Sequence, residues 1–214
     1  MKLYGYWRSG TSYRVRLALA LKGQEIETVP VNLATGEHRE EDFVKLNPQG
    51  LVPALDIGDG RLLTQSPAII EYLDEALEGP KLFPPDPWQR AKARQYAALI
   101  GCDVHPLQNL RVLKRLQDPL GHSKEEAFSW AAYWITIGLQ ALEETLEQDD
   151  QPGPFLLGDT PSAAECYLLP QLYAGRRFGA ELGGLTRLLE VEAAMNALPA
   201  VAAAHPSRQP DATE

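Results

Sequence analysis

The sequence predicts a two-domain chain: a small α/β domain over residues 1–80, a linker at 81–88, and an all-α domain over 89–206. Three observations carry this. Strand-like and helix-like patterns alternate through the first 80 residues in the order β-α-β-α-β-β-α. A proline-rich break, GPKLFPPDPW at 79–88, is too irregular for either element. Beyond it, apolar residues recur only at helical spacing.

Each element has a local reason. KLYGYW at 2–7 reads as a short strand. In the helical stretch that follows, Val15, Leu17, Ala18, Leu19 and Leu21 recur at helical spacing, and Gly23 stands where a C-cap belongs. EIETVPV at 25–31 alternates apolar and polar residues and suits a strand, and HREEDFVKL at 38–46 suits a short helix. NPQG breaks the chain before LVPALDI at 51–57, a third strand. Asp59-Gly60 is a hairpin turn signal, and RLLT at 61–64 is the return strand. Ser66-Pro67 reads as an N-cap followed by proline at the first helical position, opening AIIEYLDEAL. This order is the thioredoxin-like arrangement, a small mixed sheet with helices on both faces.

After the linker, a long periodic segment spans QRAKARQYAALIGCDVHPLQNLRVLKRL, with a kink expected near Pro106. A second helix is expected over 124–148. Ser162 and Glu165 form a capping-box signature ahead of a third, which Pro170 should kink. A further helix is expected over roughly 184–197. The tail at 207–214 offers nothing to bury and is expected to be disordered.

The chain is acidic, with a net charge of −9, so nucleic acid is a poor partner. No apolar run approaches a membrane span and the N-terminus lacks a signal-peptide core, which points to a cytoplasmic protein. Cys102 and Cys166 form no CxxC and sit in apolar helical contexts, where small buried side chains are expected. The four histidines lack metal-ligand spacing, so no metal site is expected.

Three segments carry chemistry. Between the first strand and helix lies WRSGTSYRVR at 7–16, where Ser9, Thr11 and Ser12 offer hydroxyls at a helix N-terminus. Partial positive charge there stabilises an anion such as a thiolate. Ser12 or Thr11 is expected to cap the helix. The second segment is LVPAL at 51–55: proline in a strand removes a ladder donor, and a cis peptide at the strand start would expose the backbone of Val52 to a ligand. The third is TQSP at 64–67, where a strand ends and a helix N-terminus suited to a carboxylate begins.

Together with NPQGLVPAL, LTQSPAIIEYL, HPLQNLRVL and GDTPSAAECYLLPQ, the run SGTSYRVRLAL at 9–19 resembles the zeta class of glutathione transferases. The resemblance covers nearly the whole chain and implies the glutathione-transferase fold. Where the family carries Ser-Ser-Cys, this chain has Gly10 and Thr11 in place of the second Ser and the Cys.

The resemblance implies glutathione as cofactor, and cis–trans isomerisation of maleylacetoacetate or maleylpyruvate to the fumaryl product by reversible thiolate addition to the alkene. It assigns Gln65 and Ser66 to the γ-glutamyl end, Val52 to the cysteinyl backbone, and His38, Gln108 and Asn109 to positions near the tripeptide. Ser9, with Thr11, faces the thiol. Arg8, Arg111 and Arg177 are implied for the carboxylates of a small unsaturated dicarboxylate, because guanidinium forks bind carboxylates bidentately. Arg14 and Arg16 read as structural or interfacial. A homodimer is implied. The competing readings are a transferase or dehalogenase acting on α-halo acids, and a non-catalytic binding protein on the same fold.

Overall fold

The computed structural model describes residues 1–213. Its strands are β1 (Lys2–Gly5), β2 (Glu27–Pro30), β3 (Ala54–Asp56) and β4 (Leu62–Thr64). Its α-helices are α1 (Gly10–Leu21), α2 (Glu41–Leu46), α3 (Ser66–Ala76), α4 (Pro87–Ala98), α5 (Leu110–Gln117), α6 (Lys124–Asp149), α7 (Ala163–Phe178), α8 (Thr186–Asn196) and α9 (Pro199–Ala203). The chain forms two compact units: Met1–Leu82 together with the C-terminal segment from Ala197, and Phe83–Asn196.

The first unit is a four-stranded mixed sheet in the order β2-β1-β3-β4. β1 runs parallel to β2 and antiparallel to β3, which pairs antiparallel with β4. Side chains alternate faces along a strand, so neighbours in β1 sort the helices. Tyr4 makes a ring contact with Phe43 of α2. Leu3 and Gly5 face the other way, toward α1: a Cβ on Gly5 would lie 3.2 Å from Ser12 Oγ, so glycine lets strand and helix approach closely. Leu3, Leu55, Ile69, Ile70 and Leu73 are fully buried, each stabilising the unit by about 1.5–3 kcal/mol relative to exposure. β3 begins after Pro53, which has no N–H for the ladder, so the strand is shorter than LVPALDI suggests. β2 is an edge strand, where Pro30 is tolerated.

The C-terminal segment differs from expectation. α9 packs on α1, and Arg16 donates to the carbonyl of Ala204 (3.2 Å). The tail does find something to cover: Asp211 accepts from the Trp7 backbone N–H (3.0 Å), and Ala212 packs on the Tyr6, Trp7, Val31, Phe43 and Val52 cluster.

The second unit is helical. The long segment after the linker does not kink but divides. α4 loosens into a π-helical turn at Leu99–Val104, a 3-10 turn covers His105–Gln108, and α5 starts afresh. Pro106 removes a helical N–H, and Asn109 caps a new helix by accepting from the backbone of Arg111 (3.1 Å). On that π-helical turn Cys102 is exposed, against expectation, whereas Cys166 is buried. Gly138 of α6 lies so near Val104 that a Cβ would fall 2.2 Å from its Cγ2. α7 stays helical through Pro170 and opens on the Ser162/Glu165 capping box.

Candidate functional site

The register of the sheet gathers the three chemistry-bearing segments at one edge of the first unit. Tyr4 lies opposite Ala54, and Ala54 opposite Thr64. The end of β1, the start of β3 and the end of β4 are therefore neighbours. From these ends lead the loop into α1, the Val52-Pro53 peptide, and the Gln65-Ser66 turn into α3. The Val52-Pro53 peptide is cis.

Ser9, not Ser12 or Thr11, caps α1. Its backbone is extended (φ −70°, ψ 120°) and its Oγ accepts from the Ser12 N–H at 3.3 Å. Ser12 is fully buried, its own Oγ accepting from the Tyr6 N–H (3.3 Å). A helix starting at Gly10 leaves Ser12 inside the first turn, three positions past the cap. Thr11 Oγ1 donates to the Val52 carbonyl at 2.9 Å and lies 3.0 Å from Ser9 Oγ. A hydroxyl has one proton, and a carbonyl can only accept. Thr11 spends its proton on Val52, so the Ser9 hydroxyl donates to Thr11. Two half-buried hydroxyls thus sit at the positive end of α1, linked to the loop that starts β3.

One buried arginine holds this loop. Arg16 (8% exposed) donates to the Trp7 carbonyl at 2.9 Å and to the Tyr6 carbonyl at 3.5 Å. Arg8 is half-buried, its guanidinium 5.0 Å from the centre of the Trp7 ring.

At the second helix start, the sequence expectation is corrected again. Gln65, not Ser66, is the N-cap residue of α3, with positive φ (70°) and no side-chain capping bond. Its amide instead donates to Gln49 Oε1 (2.8 Å). Ser66 is the first helical residue and is buried, with its Oγ accepting from Arg14 Nη1 at 3.3 Å. His38 is buried in the 3-10 turn Glu37–Arg39. Its carbonyl lies so close to Gly50 that a Cβ there would approach to 2.9 Å.

The remaining residues singled out from sequence lie in the helical unit. Gln108 is buried and donates to Gln171 Oε1 (3.0 Å), while Asn109 is occupied as the cap of α5. Arg111 and Arg177 are exposed, the latter with its guanidinium 5.0 Å from the Phe178 ring centre. The neighbouring Arg176 forks onto both carboxylate oxygens of Glu192 (2.6 and 2.5 Å), which also raises its pKa.

Sequence reasoning missed Arg14 as a partner of Ser66, Gln49 as a partner of Gln65, and Asp211 as an acceptor for Trp7. Only the Arg14–Ser66 pair left a trace: two arginines, Arg14 and Arg16, stand in the otherwise apolar helix stretch RVRLALAL, and both are buried.

The donor set of the first unit suits a ligand carrying a thiol and a carboxylate. Hydroxyls stand at the positive end of one helix, and a second helix start has no side chain covering its backbone N–H groups.

Comparisons with known proteins agree. The family described as Glutathione S-transferase, N-terminal domain, matches residues 1–75. A maleylacetoacetate isomerase of Pseudomonas aeruginosa is 50% identical over 213 residues, 99% of this chain and 98% of the relative. A solved holo structure of a maleyl pyruvate isomerase, described as a bacterial zeta-class glutathione-S-transferase, is 45% identical with a TM-score of 0.96 and full coverage of both chains. A maleylacetoacetate isomerase from Anaeromyxobacter dehalogenans 2CP-1, solved with dicarboxyethyl glutathione and citrate in its active site, is 41% identical with a TM-score of 0.86, covering 99% of this chain and 93% of that one.

Proposed function

Since this chain belongs to the zeta class of the glutathione transferases, alongside the maleylacetoacetate and maleylpyruvate isomerases, we propose that it is a glutathione-dependent cis–trans isomerase of maleylacetoacetate or maleylpyruvate. The observation that carries this reading is the hydroxyl pair Ser9 and Thr11 at the start of α1, in a chain alike over its whole length to enzymes of that activity. The names of those relatives favour isomerisation over halide release from α-halo acids.

Bound glutathione supplies a thiol whose reversible addition to one alkene carbon makes the former double bond rotatable, after which its loss leaves the trans product. The chain's own residues have three tasks. Ser9, with Thr11, turns a hydroxyl proton toward the sulfur and, with the positive end of α1, favours its anionic form. Val52 offers backbone groups to the cysteinyl unit, and Gln65, Ser66 and His38 hold the rest of the tripeptide. Gln108 and Asn109 of the helical unit are assigned to the same ligand.

For the substrate carboxylates we assign Arg8, Arg111 and Arg177. The bond from Arg176 to Glu192 supports choosing Arg177, since the Arg176 fork is already engaged. The same reading makes the protein a cytoplasmic homodimer in the catabolism of aromatic compounds. No helix among the described residues is long and apolar enough to cross a membrane.

The test is a coupled assay of purified protein with each keto-diacid, with and without glutathione. Glutathione-dependent formation of the fumaryl product from at least one is expected. No turnover of either overturns the reading.

A further inference from the structure

We infer that Arg14 is a positioning residue for ligand binding: it orients the Ser66 hydroxyl so that its proton faces the α-carboxylate of the γ-glutamyl group. This rests on the proposed glutathione site and extends it to a residue with no role assigned so far. A guanidinium has donors and no acceptor. In the Arg14 Nη1 to Ser66 Oγ bond (3.3 Å), Ser66 must therefore be the acceptor. Its single proton points away from Arg14 and stays available to a ligand.

The fold makes that orientation durable. Arg14 is 3% exposed and Ser66 2% exposed, so neither side chain has room to exchange its partner for water. Arg14 belongs to α1 and Ser66 opens α3, and these two helices pack against each other. Gln65 does not cap α3, because its amide is drawn to Gln49. The backbone N–H groups of the first turn and the oriented hydroxyl are then left for an anion, which is what a carboxylate with two acceptor oxygens needs. The Arg14 donor takes one lone pair of Ser66 Oγ and so fixes the direction in which its proton can point.

The test compares two ligands by calorimetry: glutathione, and 4-aminobutyryl-cysteinyl-glycine, which lacks only the α-carboxylate. Arg14→Met is expected to weaken glutathione binding by about ten-fold and to leave the analogue within about two-fold of wild type. In turnover, KM for glutathione rises while kcat at saturation holds. Ser66→Ala gives the same ligand-selective loss, and the double variant binds no more weakly than Ser66→Ala alone.

Equal weakening of both ligands, additive losses in the double variant, or a fall in kcat with unchanged KM overturns the inference. If Arg14→Met does not fold, Arg14→Lys serves, because its point-like ammonium does not reproduce the guanidinium geometry. Selective loss of glutathione affinity then supports the inference, and equal weakening of both ligands, or no change in either, in that variant overturns it. Failure of the isomerase assay with wild-type protein that still binds glutathione would count against the proposed reaction and leave the role of Arg14 standing.

Discussion

Ser9 has one proton, and it rests on Thr11. To stabilise a thiolate, the hydroxyl must rotate off that oxygen. Ser9→Ala is therefore expected to raise the pKa of bound glutathione and to lower kcat about 10²-fold, the scale of losing one anion-stabilising donor. Ultraviolet thiolate absorbance against pH, with turnover alongside, checks both. An unshifted thiol in this variant would remove Ser9 from the mechanism. Thr11→Val leaves Ser9 in place and is expected to cost less than Ser9→Ala in the same assays. These two residues were legible in the sequence because hydroxyls crowd a strand-to-helix turn. Which of them caps the helix was not, because helix boundaries depend on backbone angles that one residue's shift rearranges. Arg14 was only half legible: an arginine in an apolar helix run marks itself as unusual but does not name its partner, here a serine fifty-two positions on.

At the level of the elements, α7 depends most on one buried carboxylate. Glu165 accepts from the backbone N–H groups of Leu156 (2.7 Å) and Ser162 (2.8 Å) and from the Ser162 hydroxyl (2.7 Å). Replacing it by alanine strands three buried donors, and a loss of about 2–4 kcal/mol is expected in urea denaturation. Burial pushes the Glu165 pKa up, with the accepted hydrogen bonds opposing. A carboxyl whose folded pKa exceeds its unfolded value binds more protons when folded in the window between the two. Stability is therefore expected to fall as pH rises from the unfolded carboxylate range through that window, and to level off above it. Glu165→Ala should flatten this slope, which denaturation at a series of pH values reads directly. The capping box was visible in the sequence as a serine followed three residues later by glutamate, and the structure keeps it. The division of α4 from α5 was not visible, because the apolar periodicity continues through Pro106 and only the capping of α5 by Asn109 marks a new start.

Across the whole molecule, the mixed α/β unit and the helical unit could be anticipated because hydrophobic periodicity changes from alternating to helical near residue 80. Where the chain ends could not be, since a polar octapeptide looks unfit for packing. Besides the packing of Ala212, it supplies an acceptor: Asp211→Ala is expected to destabilise the protein by about 1 kcal/mol, the ordinary worth of one hydrogen bond, and to raise KM for glutathione through the loosened Trp7-Arg8 backbone. Thermal melts and initial rates check the two effects, and an unchanged melt together with an unchanged KM would leave the carboxylate without a role. Sedimentation of the wild-type protein is expected to give a species twice the 23.6 kDa chain mass. Because α9 and Asp211 complete the unit that holds β1, a ribosome delivers those pieces only after the entire helical insert has emerged. The N-terminal part must wait, unfinished, for its own closing strap.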